Sequence, residues 1–144
     1  MGMSLLVRRQ LELQNCRDQL SVAEADVRQI RSDLDRIENL RNRLRTRRNS
    51  IRTHRTAVRE FVTSDFPNWQ GNIRSTQFQG AARDRLVDRD YQAALNGVQT
   101  TLDNLNSRRT VLENKLISGN GLVSSLNRRI NILMTEIQNL INWN

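Results

Sequence analysis

The chain has 144 residues, with 23 Lys+Arg against 15 Asp+Glu and a formal charge of +8, and 22 of the 23 basic residues are arginine. One Cys excludes an internal disulfide, and 6 Gly, 1 Pro and 4% aromatic residues exclude collagen-like and aromatic low-complexity chains. A hydrophobic share of 37% suffices for an ordered protein if the apolar positions are well placed, and a single domain over 1–144 is expected.

The start carries only the apolar patch Leu5-Leu6-Val7, far short of a signal-peptide core, so no conventional cleaved leader and a cytoplasmic location are expected. No run approaches the roughly 18 apolar residues of a membrane span. The first helix is expected over about 5–62. Leu6, Leu13, Leu20, Val27 and Leu34 recur every seven residues, and Cys16, Ala23, Ile30, Ile37, Leu44, Ile51 and Val58 do the same three places on. These are the a and d positions of a heptad, the pattern that seats one helix against another. Neither Pro nor Gly interrupts the stretch, which would extend for roughly 85–90 Å at 1.5 Å per residue.

After Leu34 the a positions become Arg41, Arg48 and Arg55, and Arg41–Arg59 holds eight arginines and no acidic residue. Either arginine stems lie over a thin seam with their heads in water, or Arg41, Arg45, Arg48, Arg52 and Arg55 meet acidic side chains of a partner helix. The eight positions are read as spread around the helix, not as one stripe. With no aromatic residues interleaved for base stacking, nucleic acid ranks below an acidic helix as their partner.

Thr63-Ser64-Asp65-Phe66-Pro67-Asn68-Trp69-Gln70-Gly71-Asn72 concentrates the turn-forming residues, so a turn is expected over about 63–72. A second helix is expected over about 73–142. One of its rows is Leu95, Leu102, Leu116, Val123, Ile130 and Ile137, interrupted by Arg109. The other is Val98, Leu105, Leu112, Leu126, Leu133 and Leu140, interrupted by Gly119. Ser118-Gly119-Asn120-Gly121 is a turn signal by itself, but the heptad phase is unbroken across it. An unbroken helix is therefore favoured over a kink at 118–121.

Two long helices with a short link pack antiparallel. The expected fold is all-α, a long antiparallel two-helix coiled-coil hairpin with the turn at its tip. Leu13, Leu20, Val27, Ile30 and Leu34 are expected to zip against the second helix, whose seam includes Leu102, Leu116, Leu126, Ile130 and Leu133. Pairing about the turn sets the Leu6 end beside Ile130. Leu40, Phe61, Val87, Ile117, Ile132 and Ile141 are left with no third element over them, so a helix from another chain is expected. A second copy of this chain would serve as well as a different protein.

No catalytic, cofactor-binding or metal-binding residues are assigned. His54 and Cys16 stand far apart, short of the four ligands zinc takes. Asp84 and Asp88 lie among Arg83, Arg85 and Arg89 and read as surface ion pairs. A thin hairpin offers no deep cleft for catalysis, and the chain is read as not an enzyme.

Trp69-x-Gly71 at the single turn, with Phe78 seven residues on, gives a cap for the seam; Phe66 and Phe61 complete this tip, Phe61 being read as hairpin-end core. A W-x-G turn between two helices resembles the small WXG-type proteins of Gram-positive type VII (Esx-type) secretion. The start near Ser4-Leu5-Leu6 and the run from Leu102 to Leu140 look most like the YwqH-like members, which are encoded beside LXG-type toxins. The resemblance implies a non-enzymatic adaptor or targeting chaperone that binds the helical N-terminal LXG region of such a toxin. A second small helical protein is a further candidate partner, and secretion together with the cargo a further fate. The alternative reading is an arginine-rich coiled coil that binds nucleic acid or forms a structural homodimer.

Overall fold

The computed structural model describes residues 4–63, 80–81 and 83–143. The fold is all-α: helix α1 (Leu5–Thr63), a π-helical segment (Arg83–Asp90) and helix α2 (Tyr91–Asn142), with the two long helices packed against each other and no strand among the described residues. Ser4 starts α1 as its N-cap, the Ser4 hydroxyl accepting a hydrogen bond from the backbone N–H of Val7 at 3.3 Å. Helix α2 runs without a break through 118–121, as the conserved heptad phase there predicts.

The chain divides into two compact units, one of Met1–Arg36 with Arg109–Asn144 and one of Ile37–Arg108. In the first unit, Ala23 and Val27 of α1 are buried, as are Leu112, Leu126, Ile130 and Leu133 of α2. Leu13, Leu20, Ile30, Leu34 and Leu116 are half-buried. Gly119 takes a d position in this layer, and a Cβ placed there would stand 2.9 Å from Cγ2 of Val27. The glycine therefore marks a close approach of the two helices, not a bend in one of them.

The register of this unit differs from the expected one. Arg9 Nε lies 2.8 Å from Glu136 Oε2, and Arg129 Nη2 lies 2.8 Å from Glu12 Oε2, so the helices run antiparallel. Leu5 shares a depression with Leu140 and Trp143. The start of α1 thus lies nearly three helical turns further along α2 than Ile130. Heptad rows look the same after a shift of seven residues, so apolar spacing fixes the buried face but not which repeat it meets. Charge pairs and the Gly119 contact distinguish the registers.

In the second unit, Ile37, Val62, Val87 and Leu102 are buried, together with Arg41. Val62 continues the a row beyond its three arginines and is only 2% exposed. Val87 was expected to be an uncovered flanking residue, yet it is fully buried at 0% exposure. The π-helix is the reason. Counting back from Leu95 and Tyr91 at α-helical spacing, the next inward position is Asp88; the extra residue per turn of a π-helix moves the phase by one. Val87 turns inward and Asp88 is exposed.

Candidate partner-binding surfaces

Of the residues expected at the hairpin tip, Trp69, Gly71, Phe78 and Phe66 lie outside the described residues, as does most of the expected turn. Phe61 is 58% exposed, so it is not hairpin-end core; its neighbour Val62 takes the buried position. Leu40, Ile117, Ile132 and Ile141 are exposed.

One flank of the first unit gathers apolar surface. On α1, Leu5, Glu12, Gln19 and Asp26 recur every seven residues at the g position, and on α2 so do Leu122, Arg129, Glu136 and Trp143. In an antiparallel pair these two rows border the same side of the seam, and Arg129 and Glu12 meet across it. Near the helix ends, Leu5, Leu140 and Trp143 line a depression of about 310 Å³. Further along, Val22 and Leu122 wall a second one of about 370 Å³, with Ala23 and Leu126 among its lining residues. A third, bounded by Ile30, Val111, Lys115 and Gly119, adjoins the second at Asp26. Leu5, Val22, Val111, Leu122 and Trp143 are all exposed, Trp143 at 91%. Arg9 and Glu136 also wall the end depression; Arg9 bridges Glu12 and Glu136, and Arg129 closes on Glu12. These side chains are partly exposed, between 29% and 44%, so solvent screens the network and it sets register more than it adds stability.

The second unit is dominated by arginine. Arg48 Nη1 donates to Gln99 Oε1 at 3.1 Å, and Arg55 Nη1 donates to Gln92 Oε1 at 3.0 Å. Seven residues separate the arginines and seven separate the glutamines, so two identical layers cross the seam in antiparallel order. Gln99 Nε2 in turn donates to Asp103, and Gln92 Nε2 to Asn96. Arg41, 7% exposed, donates from Nη1 to Glu38 Oε2 at 2.9 Å. The Nε atoms of Arg41, Arg48 and Arg55 are buried without a hydrogen-bond partner. An arginine at an a position costs stability through this incomplete satisfaction, while it favours the register that supplies its acceptor.

The spacing of the tract corrects the reading that its arginines are spread around the helix. Arg41, Arg45, Arg48, Arg52, Arg55 and Arg59 follow one another at alternating steps of four and three. They occupy the a and e positions of one heptad frame and form a single row; only Arg43 and Arg47 fall outside it. Arg45 and Arg52 are exposed. Sequence reasoning also missed Gln92 and Gln99, although their seven-residue interval matches that of the arginines they meet.

His54 is exposed, and Cys16 is a free, half-buried thiol in the seam. Among the described residues no group of three or more His, Cys, Asp or Glu side chains could hold a metal ion, and no helix is long and apolar enough to cross a membrane. No family model, curated protein or solved structure matches the chain.

Proposed function

We propose that this chain is a non-enzymatic adaptor that takes a helix from another protein along the apolar flank of the unit formed by 1–36 and 109–144. The observation that carries the reading is the row of depressions walled by exposed Leu5, Val22, Val111, Leu122 and Trp143 beside a narrow two-helix seam. Exposed apolar surface arranged along a helix pair is what a third amphipathic helix buries. The W-x-G resemblance names the client: the helical N-terminal LXG region of a toxin handled by type VII secretion, with the chain acting as chaperone and, in the fullest form of the reading, leaving with its cargo.

The test is co-expression with the helical N-terminal LXG region of a toxin of that class. The product is purified in about 0.5 M salt, where phosphate-driven binding is lost, and is sized by light scattering with the 260/280 nm ratio recorded. The reading expects a stoichiometric complex free of nucleic acid. It also expects Val22→Lys with Leu122→Lys to abolish the complex while the circular dichroism spectrum is unchanged. A chain that elutes alone, or a complex indifferent to those two substitutions, overturns it.

A further inference from the structure

The arginine row of the second unit supports a different partner contact. Arg41, Arg45, Arg48, Arg52 and Arg55 span 15 residues of α1, about 21 Å of helix. Three of the five are held in place by their own unit. Arg48 and Arg55 are pinned by the neutral amides of Gln99 and Gln92, whereas Arg41 is buried and held by the carboxylate of Glu38, which balances its charge. An amide fixes a guanidinium without cancelling its charge. Arg45 and Arg52 flank these three, exposed and outside every ion pair formed among the described residues. Over residues 37–108 the sequence places thirteen arginines against seven carboxylates, so this unit carries most of the chain's charge.

We infer that Arg45, Arg48, Arg52 and Arg55, with buried Arg41 closing the row, form a docking surface for an acidic helix of another protein, one that presents Asp or Glu at the same alternating steps of three and four. The charge selects an anion, and the spacing selects the kind. Neighbouring arginines in the row are separated along the axis by about 6 Å and 4.5 Å in turn, the rise of four and three helical residues. Carboxylates on an α-helix lying alongside repeat with that same rise, so Arg45, Arg48, Arg52 and Arg55 each meet one without distortion, while buried Arg41 keeps its own Glu38. A nucleic-acid strand is disfavoured because no aromatic side chain is interleaved with these arginines for base stacking. Guanidinium groups that are already held lose less freedom on pairing than free ones do. The contact lies wholly within 37–108 and is independent of the apolar flank, so either proposal can fail without the other.

Three probes test it by fluorescence anisotropy on the full chain at low salt: a helical peptide with Glu at four-three spacing, a peptide of the same composition with the spacing scrambled, and a short DNA duplex. The four-three peptide is expected to bind about tenfold more tightly than the scrambled one and more tightly than DNA. Arg45→Glu with Arg52→Glu should lower its affinity at least about tenfold, whereas Arg43→Glu with Arg47→Glu, off the row, should change it less than about threefold. All four positions are exposed, and a melting curve checks that each variant folds. Equal binding of the two peptides, tighter binding of DNA, equal loss in both double variants, or no binding of the four-three peptide would each overturn the inference.

Discussion

Gly119 and Gly121 lie two residues apart in one unbroken helix, yet alanine should stabilise only at the second of them. Either substitution removes the helix penalty of a glycine, about 1 kcal/mol. At Gly121 nothing stands within 4 Å of the new Cβ, so Gly121→Ala should stabilise by about 0.5–1 kcal/mol. At Gly119 the new methyl would sit 2.9 Å from Val27 Cγ2, well inside the roughly 3.5–4.0 Å of a comfortable carbon–carbon contact. Val27 is buried and β-branched, so it has no alternative rotamer to step into. The helices must therefore separate locally, and Ala23 and Leu126 lose packing as they do. Overpacking of this kind costs about 1–3 kcal/mol, which outweighs the helix gain and leaves Gly119→Ala neutral to about 2 kcal/mol destabilising. Urea unfolding followed by circular dichroism at 222 nm measures the difference, and a melting curve should separate the two variants by several degrees. Stabilisation of the same size at both sites would refute the close approach at Gly119. A loss of stability at Gly121 would refute the continuous helix.

Replacing Arg48 and Arg55 together by Leu should raise the urea midpoint, by about 1–2 kcal/mol in stability, because half-buried arginines whose Nε atoms are buried without a partner give way to apolar seam residues. Val87→Ala should destabilise by about 2 kcal/mol, from two lost carbons and the cavity they leave, whereas Asp88→Ala should change stability by less than about 0.5 kcal/mol. Similar losses at both positions would put the π-helical phase in error. Glu12→Ala, which removes the acceptor shared by Arg9 and Arg129, should cost less than about 1 kcal/mol, and the cost should vanish in 1 M NaCl.

The long helices and their buried faces are legible in the sequence because burial follows spacing. Leu126, Ile130 and Leu133 are inward for the same reason that Val27 is: each falls on a heptad row. The arginine row was equally present in the sequence, as the run of four-three steps from 41 to 59 shows. It is visible only when the arginines are counted in the same frame as the leucines. The roles of Gln92 and Gln99 were not legible in isolation, because a glutamine on a helix surface is ordinary until an arginine stands opposite.

What the sequence determined by itself is therefore periodic: helix, inward face, the placement of charge along each row, and the continuity of α2 across Gly119 and Gly121. What the tertiary structure decided is phase and register. Asp88 sits where α-helical counting places an inward residue, yet the π-helix buries Val87. Arg9 meets Glu136, about two and a half turns from where pairing about the turn would set it. A heptad pattern is unchanged by a shift of seven residues, so its hydrophobic energy is nearly the same in neighbouring registers. The choice among them falls to contacts between residues remote in sequence: the Gly119 approach to Val27, the Arg–Glu network at the helix ends, and the two Arg–Gln layers.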